Sequence, residues 1–134
     1  MSTTNDDHLS KLRRYLKGIE TGSFEDISDL FTPETTFEQL PNRIYPNGVR
    51  SNASRMNEAF QKGRQLFSRQ TYEIKSYAFH GDALAAEILW TGTLAVAFGK
   101  LEVGSQMRAH CAMFLNFQNG KIIAQRNYDC FEPW

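Results

Sequence analysis

The chain has 134 residues, enough for one domain with a sizeable core, and 41% of them are apolar, with ten phenylalanines; this excludes a disordered chain. Fifteen basic residues balance fifteen acidic ones. No basic stripe or block of like charge occurs, so nucleic acid is not an expected partner. A small apolar organic ligand or a protein partner suits such a neutral chain better.

The leader MSTTNDDH is polar and acidic, where a secretory signal needs basic and then apolar residues. The first helix starts in this leader and runs to about Ile19. Leu9, Leu12, Leu16 and Ile19 repeat at helical spacing, with Tyr15 at the border of the stripe. Gly18 and the Thr-Gly pair at 21–22 end it. Ser23, with Asp26 three residues on, predicts the N-cap of a second, short helix that Pro33 stops. ETTFEQL, 34–40, is a strand candidate, and PNRIYPNG is a loop with turns. A third helix is expected from about Ser51 to Phe67. Met56, Ala59, Phe60, Gly63 and Leu66 form its apolar face, and Arg55, Glu58, Lys62, Arg64 and Arg69 its solvated one.

Strands are expected at Thr71–His80, Ala83 to about Phe98, Gln106–Phe117 and Lys121–Cys130. Asn119-Gly120 is the strongest hairpin signal in the chain. The runs ALAAEILW and GTLAVAF are too short or interrupted to span a bilayer. Cys111 and Cys130 form no CxxC motif and read as small buried hydrophobes in a reducing compartment. A cytoplasmic, membrane-free protein is the expectation. The order ααβαββββ, helices first and strands last, predicts an α+β domain over residues 1–134.

Several segments carry a family resemblance. RYLKGIETGSFEDISDLF, 14–31, resembles the opening of the ketosteroid isomerases. FEQLPNRIYPNG, GTLAVAFGKLEVG and FQNGKIIAQRNYDCFEPW resemble the SnoaL-like branch, which includes polyketide cyclases. The resemblance runs from about Leu9 to Trp134. It implies the nuclear transport factor 2-like fold, a cone of three helices on a strongly curved, mostly antiparallel sheet. That fold hosts isomerases, dehydratases, epoxide hydrolases, cyclases and binders, so it does not fix the reaction.

In the isomerases a tyrosine on the first helix binds the oxyanion, and Tyr15 matches it. The general-base position reads Gln39, next to Glu38, and a glutamine cannot take a proton from carbon. The second donor position reads Met113. Steroid isomerisation by that mechanism is therefore not expected. Strand alternation sorts the last strand into Ile123, Gln125, Asn127 and Asp129 on one face and Ile122, Ala124, Arg126, Tyr128 and Cys130 on the other. The resemblance turns the first set inward, opposite Met107, Ala109, Cys111, Met113 and Leu115.

The expected pocket is apolar, with Tyr15, Glu38 or Gln39, Gln125, Asn127 and Asp129 as its polar points, and Trp134 with Phe131 over its mouth. Asp129 is the candidate general acid or base, because burial raises a carboxyl pKa toward neutrality. Tyr15 is the candidate donor to a carbonyl or enolate oxygen. The implied function is a cofactor-free isomerase, cyclase or dehydratase acting on an apolar carbonyl compound; a non-catalytic binder or a dimeric interaction protein is the alternative. No two of His8, His80 and His110 are spaced as a metal pair, so no metal is expected. Members of this fold dimerise through the outer sheet face, which implies a homodimer through Arg108, His110, Arg126 and Tyr128.

Overall fold

The computed structural model describes residues 3–21 and 23–134. Met1 and Ser2 of the leader, and Gly22 of the turn expected at 21–22, lie outside the described residues.

Helix α1 (Thr3–Thr21) is built on one buried stripe. His8, Leu12, Tyr15 and Leu16 lie on it, three and four residues apart as one helical face requires. His8, expected in a polar leader, is only 3% exposed and stacks on Phe117 with ring centroids 3.8 Å apart. Helix α2 (Phe24–Ile27) is a single turn that runs into a 3-10 turn at Ser28–Leu30. The Ser23 backbone N–H donates to Asp26 Oδ2 at 2.8 Å, one arm of the expected capping box. Arg14 ties α1 to this 3-10 turn, its guanidinium donating to both carboxylate oxygens of Asp29 at 2.8 and 2.6 Å.

Strand β1 (Phe31–Gln39) covers the expected ETTFEQ stretch. The next element was not expected. Val49–Asn52 forms a short edge strand, β2, antiparallel to β1, and a 3-10 turn at Ala53–Arg55 follows. Ser51 and Asn52 pair with Phe37 and Thr36. Helix α3 therefore spans Met56–Leu66 and does not begin at Ser51, because sheet pairing overrides local helical pattern. Phe67, expected to close that helix, opens strand β3 (Phe67–His80). Strand β4 (Ala83–Leu94) stops before Phe98, which makes its own bridge with Leu101. Strands β5 (Gln106–Gln118) and β6 (Lys121–Phe131) follow. Their two-residue turn has Asn119 at φ 51° and Gly120 at φ 77°, the left-handed pair a tight hairpin needs. The order is ααββαββββ, one strand more than expected.

The six strands form one sheet in the order β2-β1-β6-β5-β4-β3. Only β1 and β6 run parallel. Three helices pack on one face of this curved, mostly antiparallel sheet, as the α+β expectation held. Residues 68, 75 and 123 are skipped in the pairing, and such bulges bend strands. The skip at Ile123 overturns part of the expected alternation: Ile122, assigned outward, is fully buried in the core. Lys75 has the same effect on β3, bringing Tyr72, Ile74 and Phe79 to the inner face. Along β4 the alternation is clean, with Leu84, Ala86, Ile88 and Trp90 all buried. Cys130 corrects another expectation, since it is exposed, while Cys111 is half-buried on the opposite face. Among the described residues no helix is long and apolar enough to cross a membrane.

Candidate functional site

The inner face of the sheet is organised in cross-strand rows. Asp129 stands beside Cys111, and Cys111 beside Ile88. One row deeper, Asn127 faces Met113, and Gln39 lies beside Asn127 on the parallel strand. The next row holds Phe37, Gln125 and Leu115. Tyr15 and Ile19 of α1 and Met56 and Phe60 of α3 line, with residues of these rows, a cavity of about 560 Å³. That volume lies in the range of small-molecule sites.

Tyr15, Glu38, Gln39, Met113, Gln125, Asn127 and Asp129 all border this one cavity. The parity of Glu38 against Gln39 is resolved by the parallel pairing. Gln39 shares a row with Asn127, whereas Glu38 shares one with Arg126 and forms an ion pair with Arg50 at 3.4 Å. Glu38 thus meets the cavity only at its border. Trp134 does not line it. Its ring packs edge-on to Phe98 and Phe131, and the Arg43 guanidinium lies 3.8 Å above it. Of the two aromatics expected over its mouth, Phe131 is among the lining residues.

The polar groups form two hydrogen-bonded sets. The Tyr15 hydroxyl donates to Gln125 Oε1 at 2.8 Å, and Gln125 Nε2 donates to Asn127 Oδ1 at 2.8 Å. Gln39 Nε2 donates to Asp129 Oδ2. Asp129 Oδ1 is buried and accepts no hydrogen bond. Burial raises the Asp129 pKa above the usual carboxylate range, and the Cys111, Gln39 and Asn127 side chains partly oppose that rise. Burial likewise raises Tyr15, Tyr72 and Cys111, so all three stay protonated at neutral pH.

The site includes residues that the sequence reading did not nominate. Trp90 Nε1 donates to Gln70 Oε1 at 3.0 Å, and the Tyr72 hydroxyl reaches the same oxygen at 3.4 Å. All three line the cavity, with Cys111. Their signal was the clean alternation of β4, which carries Trp90, and the alternation of Gln70 and Tyr72 on β3 ahead of the bulge at Lys75. On β3, a sheet edge, the unpaired Tyr72 N–H is met by Glu20 Oε2 of α1 at 2.7 Å. Arg55, Glu58 and Lys62, read as solvated, are exposed yet border the cavity. Among the described residues no group of three or more His, Cys, Asp or Glu side chains could hold a metal ion.

On the other sheet face, His110 Nε2 lies 2.8 Å from Glu132 Oε2, and Arg108 lies 3.8 Å from the same carboxylate. Arg126 sits over the Phe114 ring, which packs edge-on to the exposed Tyr128.

Known structures share this architecture. A proposed polyketide cyclase from Xanthomonas campestris pv. campestris superposes with a TM-score of 0.78 at 13% identity, over 94% of this chain and 92% of that one. IdmH of Streptomyces antibioticus, also a proposed polyketide cyclase, gives 0.76 at 15% identity, over 96% and 92%. An LEH-like epoxide hydrolase of M. tuberculosis gives 0.70 at 11%, over 95% and 84%. At these identities the likeness establishes fold alone. No curated protein sequence matches this chain significantly. The model of the SnoaL-like domain matches residues 12–125. With that match over most of its length and this cone of helices on a curved sheet, the chain belongs to the SnoaL-like domain family.

Proposed function

We propose that this protein is a cofactor-free acid–base enzyme acting on an apolar carbonyl compound, as an isomerase, cyclase or dehydratase. The observation that carries this reading is Asp129. Its carboxylate is buried in a cavity of ligand size, its Oδ2 is held by Gln39, and its Oδ1 has no hydrogen-bond donor. An unpaired carboxylate oxygen in an apolar wall is a poorly stabilised anion, hence a stronger base than one in water. In the proposed step Oδ1 takes a proton from the carbon next to the ligand carbonyl. The C–H electron pair becomes the enolate. In an isomerase the proton then returns from Asp129 to another carbon. In a cyclase the enolate adds to a second carbonyl carbon of the same molecule, whose C=O electron pair moves to oxygen and takes the proton. In a dehydratase the enolate expels a hydroxyl from the next carbon, which takes the proton and leaves as water.

Solvent exchange tests this without the natural substrate. A panel of aromatic ketones and β-diketones is incubated in deuterium oxide, and deuterium uptake beside the carbonyl is followed by NMR. The protein should accelerate uptake for at least one compound, and Asp129→Asn should cut that acceleration about 100-fold or more while the compound still binds. Unchanged uptake in Asp129→Asn removes Asp129 from the mechanism.

A second reading, a non-catalytic binder, is favoured by two positions. Gln39 stands where the isomerases have their base, and Met113 where they have a second donor. Binding of the panel without exchange would select it.

We further propose a homodimer through the outer sheet face, around Arg108, His110, Arg126 and Tyr128. Tyr128 is 43% exposed there beside Phe114, and tyrosine and arginine are common at interfaces. Light scattering should give twice the chain mass, falling to one chain in Tyr128→Glu; a wild-type monomer would refute the interface.

A further inference from the structure

The hydrogen bonds from Tyr15 to Asn127 run in one direction. Tyr15 gives its proton to Gln125 Oε1, and Gln125 gives an amide N–H to Asn127 Oδ1. The oxygen end of Asn127 is therefore turned toward Gln125, and its NH₂ end is the one left for the cavity. The two ends of an amide have nearly the same shape, so neighbours decide its polarity. Here the neighbours at both ends agree. The Tyr15 hydroxyl is buried and protonated, so it supplies a donor. At the far end stands a carboxylate, which accepts. Reversing both amides would turn the Asn127 oxygen toward Asp129, acceptor against acceptor.

Building on the acid–base reading, we infer that Asn127, and not Tyr15, is the donor presented to a ligand oxygen beside Asp129, and that Tyr15 and Gln125 are positioning residues that hold its NH₂ group inward. The Tyr15 O–H is already committed to Gln125. Asn127 has two N–H groups; its side chain opposes the rise of the Asp129 pKa, which employs one, and the other remains for a ligand oxygen. Its register partner is Met113, so the donor that the isomerases place on β5 is supplied here from the neighbouring strand. Enolate formation then takes place between Asp129 Oδ1, receiving the proton, and Asn127 Nδ2, holding the oxygen that gains charge.

The test reads Asp129 directly, in protein labelled with ¹³C at the aspartate carboxyls. Its signal is assigned by its loss in Asp129→Asn and titrated in the folded, full-length chain. Asn127→Ala should raise the Asp129 midpoint by about one pH unit, because a donor to the charged form is lost. Tyr15→Phe and Gln125→Met should each raise it by part of that amount. Neither should add to the shift already produced by Asn127→Ala, since both act through Asn127. A midpoint insensitive to Asn127→Ala overturns the inference. So does a midpoint insensitive to both Tyr15→Phe and Gln125→Met, or shifts that add to that of Asn127→Ala. A wild-type midpoint in the ordinary carboxylate range would instead refute the acid–base reading, which separates the two failures. Backbone amide spectra of each variant establish that it is folded, and Gln125→Met carries the test if Tyr15→Phe is not.

Discussion

Adding one methyl group at Gly92 should disturb the cavity wall. Gly92 lies on the inner face of β4, two residues from Trp90, and the indole lies across it. A Cβ built at Gly92 would meet Trp90 Cζ2 at 2.5 Å, Trp90 Cη2 at 2.7 Å and Phe67 Cδ1 at 2.8 Å. Carbon atoms in contact sit about 3.5–4.0 Å apart, so the overlap is on the order of 1 Å. Both rings are buried. Trp90 is 7% exposed and lies edge-to-face with both Phe67 and Phe131, while its Nε1 is bonded to Gln70. Any shift of the indole disturbs these contacts and the cavity wall it lines. Overpacking of this kind costs about 1–3 kcal/mol. With an unfolding entropy of about 2.1 cal/mol/K per residue, that lowers Tm by roughly 4–11 °C for a chain of this length. Gly92→Ala is checked by thermal denaturation, with near-ultraviolet circular dichroism reporting the indole environment. An unchanged Tm with an unchanged aromatic spectrum would refute the close approach of Trp90 to Gly92.

Asp129→Asn should stabilise the fold even as it removes activity. The native pKa of Asp129 is raised, so the folded state holds its proton where the unfolded chain has lost it. The native fold therefore loses stability as pH rises from the ordinary carboxylate range through the native midpoint, and carries a constant cost above it. Urea unfolding should show no gain for Asp129→Asn at low pH and a gain levelling off above that midpoint, about 1.4 kcal/mol per unit of elevation; a gain independent of pH would contradict this. His8→Phe should flatten the acid side of the stability profile. Burial lowers the His8 pKa, against the opposing charges of Asp82 and Asp7 and with the help of Lys11. The unfolded chain thus takes up a proton first, and stability falls as pH drops below about 6.5 through the native midpoint. A phenylalanine keeps the stack on Phe117 and removes the unpartnered Nδ1. Unfolding curves at pH 5 and pH 8 that differ as much in His8→Phe as in wild type would count against it.

Much of the site was legible because β6 is a regular strand from Ala124 onward. Simple alternation is enough to put Gln125, Asn127 and Asp129 on one face. It fails at Ile122 and Ile123, where a skipped residue shifts the phase, and no local signal marks the skip. Glu38 and Gln39 could not be phased from their own segment, because their orientation is set by parallel pairing with β6, far away in sequence. Strand β2 was missed for a related reason: VRSN has little strand character, and its pairing with β1 makes it one. His8 looked like part of a solvated leader, since no apolar pattern announces a histidine as a core residue. The setting of the Tyr15 hydroxyl was the least legible. Its position on α1 was readable, but the partner of its hydroxyl is Gln125, and that contact exists only in the folded chain.

The central claim is that Asp129 acts as a base in its charged form. The pH profile of deuterium uptake by an active carbonyl compound tests it most directly, measured beside the Asp129 carboxyl titration in the same buffer. The rate should rise with pH through a single inflection that coincides with the Asp129 midpoint, above the ordinary carboxylate range, and the inflection should vanish in Asp129→Asn. A flat profile, or an inflection that survives in Asp129→Asn, would contradict the account.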